Sequence, residues 1–236
     1  MPPRDDLPYL SHLPHLSHEP EADPKARRLA RKSKRQENRR HIVLACAREV
    51  LVAHGPLAFT MDQLATAAGT SKATLYYYFR SREEVIGELA ISVLRREALA
   101  MSRVVIAAET GIDGLAALVR ARVAHHLADP DGFRILYVWA PVLGDPQRLL
   151  MSEVYPLSAV VNTTLAAKLQ RDRKAGLLHP DADPHRLADL AWWTAQGLLG
   201  LVMDPPRTDP PFSWQALCDE ACNTLIRAAK SSKPLI

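Results

Sequence analysis

Residues 70–85, TSKATLYYYFRSREEV, set hydroxyls, aromatic rings and bases side by side. Successive residues on a helix point about 100° apart, so Tyr76, Tyr77 and Tyr78 cannot all face one core. Leu75 and Phe79, four apart and strongly apolar, mark the buried stripe. That turns Lys72, Thr74, Tyr76 and Tyr77 outward and leaves Tyr78 on the flank. Such a helix suits the major groove of double-stranded DNA, which admits one α-helix. Thr74 and Tyr77 are placed to meet base edges or thymine methyls. Tyr76, Tyr78, Lys72 and Arg82 are placed to reach phosphates, together with the amides of the helix N-terminus. The competing reading buries these tyrosines in a protein interface, and the basic flanks weigh against it.

The charge pattern points to the same kind of partner. Residues 25–40, KARRLARKSKRQENRR, hold nine bases and one acid, whereas residues 1–24 hold one base and five acids. The other 196 residues carry 20 charges of each sign, so the net +4 comes from a local tract beside the first expected helix. That position favours nucleic acid over a membrane surface. Nine bases there could run along phosphates or into a minor groove, adding salt-sensitive affinity for any sequence. A solvated linker is the plainer alternative. Residues 1–24, rich in proline and acids, read as disordered. The prolines argue against a metal site at His12, His15 and His18.

The chain of 236 residues is 47% apolar and 24% charged, as expected of a globular protein with a sizeable core. The most apolar stretch, LADLAWWTAQGLLGLVM (187–203), is interrupted by Asp189, Thr194 and Gln196 and is short for a membrane span. No secretory signal is apparent at the N-terminus, and a cytoplasmic location is expected. Cys46, Cys218 and Cys222 fit no zinc spacing and read as small buried apolar side chains.

The elements that must hold the tyrosines are helices, and the expected fold class is all-α. A first helix is expected from about Asn38 to His54, closed by Gly55-Pro56. Thr60 and Gln63 form a capping box for a second helix, and Gly69 supplies the turn before a third. Ser81 to Glu84 form another capping box, opening a fourth helix that continues to about Ala108. Three short helices with a glycine turn between the second and third describe a helix-turn-helix. The expected organisation is a disordered tail and basic arm (1–37), a helix-turn-helix domain (38–87) and a larger helical ligand-binding and dimerisation domain (88–236).

The stretch IVLACAREVLVAHGPLAFTMDQLATAAGTSKATLYYYFRSREEVIGEL (42–89) resembles the DNA-binding domain of the tetracycline-repressor (TetR) family of bacterial transcription regulators. Two departures are Leu51, where a phenylalanine is common, and Pro56, where an aromatic is common. The resemblance implies DNA contacts at Thr60, Ser71, Lys72, Thr74, Tyr76, Tyr77, Tyr78 and Arg82. It also implies a homodimer on a palindromic operator, with a repressor function released by a small molecule that moves the fourth helix. The alternatives are a non-specific DNA-coating protein or an enzyme in the C-terminal domain. No phosphate loop, nucleophile elbow or metal motif supports an enzyme, and no cofactor is expected.

The helix expected at 187–202 has two apolar stripes: Leu187, Leu190, Ala191, Thr194, Leu198 and Leu201, and then Ala188, Trp192, Ala195, Leu199 and Val202. A helix apolar on two sides is sandwiched. The family reading sets one side on the core and the other on a second subunit, joined by a last helix at about 214–229. Met101, Phe133, Tyr137, Trp139, Tyr155, Asn162 and Trp193 are the candidates for a pocket suited to an apolar or aromatic ligand.

Overall fold

The computed structural model describes residues 24–143, 152, 155–202 and 213–230, and these contain helices and turns but no strand. Residues 1–23, with the three N-terminal histidines, lie outside them. The chain divides into two compact units, Met1–Ile42 and Val43–Ile236.

Helix α1 (Pro24–Ala58) begins well before Asn38. The basic tract is built of Ala, Leu, Arg, Lys, Gln and Glu, all good helix formers, so a reading of its charge alone misses its conformation. In the first unit the described bases Arg28, Arg31, Lys32, Lys34, Arg35 and Arg39 are exposed. In the second, Val43, Ala47, Val50 and Leu51 form the buried face of α1. Gly55 interrupts the helix with φ 75° and ψ 168°. By length and composition Arg31–Ala58 could cross a membrane, but its apolar stripe is already packed within this unit.

Local chemistry fixes the next three helices. α2 (Met61–Ala67) starts at the expected capping box: Gln63 N donates to Thr60 Oγ1 at 3.2 Å and Thr60 N donates to Gln63 Oε1 at 2.9 Å. α2 ends on Gly69 (φ 57°), where Gly69 N donates to Thr66 O at 3.2 Å and Thr70 N to Ala65 O at 3.0 Å. This pair of bonds is a Schellman motif, which needs a left-handed residue at that point. α3 (Lys72–Tyr78) is capped by Ser71, whose Oγ accepts from Thr74 N at 3.1 Å. α4 (Arg82–Ala107) is capped by Ser81, and the Glu84 carboxylate reaches back to Arg80 N at 2.5 Å, one residue further than a simple box.

Phe59, Leu64, Leu75, Phe79, Val85 and Ile86 close the core under these helices, and each is at most 1% exposed. Burial of each such side chain stabilises the fold by roughly 1.5–3 kcal/mol. The same cluster continues onto Ile135, Leu136 and Ala140. The helix-turn-helix is therefore packed onto the rest of its unit.

The larger part contains α5 (Gly111–Ala128), α6 (Pro130–Phe133), a π-helical turn (Arg134–Trp139), α7 (Ala140–Leu143), α8 (Tyr155–Lys174), α9 (Pro184–Val202) and α10 (Trp214–Lys230). α5 is central and packs on α4, α8, α9 and α10. Its N-terminal turn is held by Thr110, which caps Asp113 N at 3.0 Å, and by the buried Asp172 of α8, which accepts from Ile112 N at 2.9 Å. Lys168 of α8 donates to the carbonyls of Ile106 (2.9 Å) and Ala108, closing the end of α4.

The two apolar stripes expected on α9 do not face opposite ways. Leu187, Ala188, Ala191, Trp192, Ala195, Leu198 and Leu199 are all buried and merge into one broad face. The second apolar side consists of Leu190, Trp193 and Leu201, which are 41%, 59% and 50% exposed, with Gly197 and Gly200 among them. Stripes one residue apart on a helix lie only about 100° from each other, and one wide contact covers both.

Candidate nucleic-acid interface and internal cavity

Leu75 is fully buried on the inner side of α3, and Tyr76 and Tyr77 stand out at 48% and 68% exposure. Tyr77 meets Tyr78 edge to face, with ring centroids 5.2 Å apart, and Tyr78 is half-buried on the flank. Several of the polar groups expected to contact DNA also hold the helices together. The hydroxyl of Thr60 and that of Ser71 are both caps, and Ser71 Oγ lies 2.8 Å from Thr74 Oγ1. Lys72 Nζ donates to Asp62 Oδ2 at 2.8 Å, and this bond keeps its ammonium pKa above the ordinary lysine value. Arg82 Nε donates to Glu83 Oε1 at 2.7 Å. The outward surface of α3 is thus formed by two tyrosine rings and Thr74, with lysine and arginine at the margins.

A cavity of about 520 Å³ lies among the π-helical turn, α8 and α9. Tyr137, Trp192 and Trp193 provide ring surface, and Asn162, Asp189 and Gln196 provide polar groups. Beneath it sits a buried polar network. Arg122 of α5, fully enclosed, donates from Nε to Glu97 Oε1 (2.6 Å) and from Nη1 to Trp192 O (2.9 Å). Its Nη2 donates to Tyr137 Oη (2.8 Å) and Gln196 Oε1 (2.6 Å). The guanidinium also lies 4.1 Å from the ring centre of Trp192. Tyr137 donates its hydroxyl proton to Glu97 Oε2 at 2.7 Å.

His126 Nε2 stands 3.1 Å from Glu97 Oε1, but it is poorly aimed for a hydrogen bond, so the contact is electrostatic. Burial by itself would raise the pKa of Glu97. The neighbouring His126, the charge of Arg122 and the Tyr137 hydroxyl outweigh that and hold it at about 2. Burial is also the main cause that drives the Tyr137 hydroxyl far above its ordinary value, which leaves it protonated.

Residues 43–89 match the family model for bacterial regulatory proteins of the tetR family. The chain is also 28% identical over 201 residues to the HTH-type transcriptional regulator BetI of Rhizobium meliloti (strain 1021), covering 83% of this chain and 93% of that protein. The likeness to the TetR family is shown over residues 43–89, the helix-turn-helix part of the chain.

Two solved structures extend the likeness in fold through the C-terminal helices. A Rhodococcus sp. RHA1 protein of unknown function superposes with a TM-score of 0.64 at 24% identity, covering 82% of this chain and 96% of its own. FadR of Bacillus subtilis, solved in complex with stearoyl-CoA, gives 0.61 at 16% identity, covering 79% and 97%. The helix-turn-helix match and the BetI relative identify a DNA-binding transcription regulator.

Of the seven pocket candidates, Tyr137, Asn162 and Trp193 come together at the cavity. Met101 is buried in the C-terminal core, Phe133 packs beside His126 and Tyr137, and Trp139 packs on the helix-turn-helix side. The side chain of Tyr155 lies outside the described residues. Glu97, Arg122 and Gln196 were not among the candidates. The signal in the sequence was a glutamate and an arginine within otherwise apolar faces: Glu97 beside Val93, Leu94, Ala98 and Met101, and Arg122 beside Leu118, Val119 and Val123.

Proposed function

We propose that this regulator is a dimeric, sequence-reading repressor whose grip on a palindromic operator is relaxed by a small molecule in the cavity between α8 and α9. The observation that carries this reading is the span of α4. Its first turn is capped beside α3, and further along the same helix Glu97 joins the network that touches the cavity wall through Tyr137 and Gln196. One rigid element thus reaches both the reading helix and the cavity, as a two-state coupling requires. The stearoyl-CoA complex of FadR supports small-molecule control in this fold.

Within the proposal, Tyr77 and Thr74 read bases, while Tyr76, Tyr78, Lys72 and Arg82 hold phosphates, with Thr60 and Ser71 at the helix N-termini. The face of Leu190, Trp193 and Leu201, with α10, is the subunit contact. The basic part of α1 tracks phosphates: a helix suits the major groove or the outside of the duplex, not a minor groove about 6 Å wide. A protein with this role works in the cytoplasm, and the reading needs no catalytic step.

The test is to select bound genomic fragments with purified protein at physiological salt and to footprint them. One shared inverted repeat supports the proposal. Fragments without common sequence would favour a DNA-coating role, the second reading, which the exposed bases of α1 make specific.

A further inference from the structure

The cavity wall has a definite electrostatic character. Among the described residues Asp189, on α9, is its one carboxylate, and neither lysine nor arginine lines it. Arg122 is held behind Trp192 with its donors directed to Glu97, Tyr137, Gln196 and a backbone carbonyl. Arg122 and Glu97 offset each other's charge, which leaves Asp189 as the acidic group of the described wall.

Asn162 adds a second feature. One end of its amide lies 2.8 Å from Asp189 Oδ1. An ionised carboxylate only accepts hydrogen bonds, so that end must be the Nδ2 donor. The other end is then Oδ1, an acceptor that is buried and has no partner. The cavity therefore combines a carboxylate with the rings of Tyr137, Trp192 and Trp193. Aromatic faces attract cations, and an N–H donor meets the carboxylate.

We propose that the cavity recognises an organic ammonium, a protonated primary or secondary amine on an apolar or aromatic body, through Asp189 and the surrounding rings. Asp189, oriented by the Asn162 amide, balances the charge and takes an N–H, and the rings cover the apolar body. Among the described residues His185, a turn before Asp189, is the other ionisable group of the wall besides Tyr137. Such recognition deepens the effector reading of the cavity, and depends on it only for the effect on DNA.

The test uses three probes of similar size on the full-length protein: 2-phenylethylammonium, 3-phenylpropanol and 3-phenylpropionate. Binding is followed by tryptophan fluorescence and by calorimetry. The expected result is ammonium binding at least about tenfold tighter than the alcohol, with the carboxylate weaker still. Asp189→Asn, a change at an exposed position, brings the ammonium to the level of the alcohol, and circular dichroism checks that the fold is kept.

Equal binding of the alcohol, preference for the carboxylate, no ammonium binding at millimolar concentration, or an unchanged affinity in D189N would each overturn the proposal. Operator release is measured in parallel. Ammonium that binds in an Asp189-dependent way without releasing DNA supports the recognition and removes the effector role. Release by the carboxylate alone keeps the effector role and overturns the ammonium.

Discussion

Arg122 Nε lies 2.6 Å from Glu97 Oε1, and both side chains are entirely shielded from solvent. The pair joins α5 to α4 at the base of the cavity, and its strength depends on both members being present. Arg122→Met leaves a buried carboxylate without its counter-ion and is expected to cost about 3–5 kcal/mol. Glu97→Gln with Arg122→Met should recover much of that loss. Urea denaturation of the single and double variants, followed by circular dichroism, checks both expectations.

The same pair has an acid signature. Glu97 is held at about 2 in the folded protein, below the ordinary glutamate value of 4.5. A depressed carboxylate pKa gives stability that is complete above the unfolded value and lost as pH falls through the folded one. The contribution of Glu97 should therefore disappear between about pH 4.5 and 2. Denaturation midpoints measured across that window should fall less steeply in Glu97→Gln than in the parent protein.

In the helix-turn-helix, capping and reading separate by mutation. Thr60→Ala and Ser71→Ala each remove a cap and should lower stability by about 1 kcal/mol. Tyr77→Ala, at an exposed ring, should leave thermal stability nearly unchanged and lose about 1–3 kcal/mol on the preferred operator only. Paired melting and operator titrations decide this, and an equal loss on every sequence would remove base reading by Tyr77.

Gly111 meets α8 with no room to spare: a Cβ there would lie 2.5 Å from the backbone nitrogen of Leu169. The obstacle is main chain, so α5 or α8 must shift. Gly111→Ala should destabilise the protein by about 1–3 kcal/mol, read as a lower urea midpoint.

The basic part of α1 is tested by salt. Replacing Arg28, Lys32, Arg35 and Arg39 by glutamine keeps good helix formers and removes four exposed charges. If these side chains sit on phosphates, the slope of log Kobs against log salt should become shallower by about 0.9 for each phosphate that is no longer neutralised. An unchanged slope, measured by titration from low to moderate salt, would confine the DNA contacts to the helix-turn-helix.

What could be read from the sequence was local. The Thr60–Gln63 box, the Gly69 turn and the Leu75–Phe79 stripe all involve residues within a turn or two of each other, where spacing and geometry nearly coincide. The extent of α1 was less legible because a dense run of charge obscured good helix propensity. The site beneath the cavity was legible only at Tyr137, one of the pocket candidates. Glu97, Arg122, Tyr137 and Gln196 lie on separate elements, and a charged residue in a sequence is ordinarily assigned to solvent. Only the packing of α4, α5 and α9 brings these groups together. Asn162 and Trp193 were found by residue type, but their neighbour Asp189 was read only as an interruption of an apolar run.

The π-helical turn at Arg134–Trp139 has a consequence for how the cavity floor is specified. Its wider winding accommodates an added residue, and Tyr137 lies within it. The bearing of the tyrosine toward Arg122 is therefore set by chain length as much as by side-chain identity. Excising one residue here and returning the turn to α geometry would keep the flanking segments nearly in phase while changing which side chains of the turn face Arg122. Substitution can change the chemistry of this floor, but only an insertion or deletion can re-aim it. Length variation in this turn is thus the coarse control of what the cavity presents, and residue choice is the fine one.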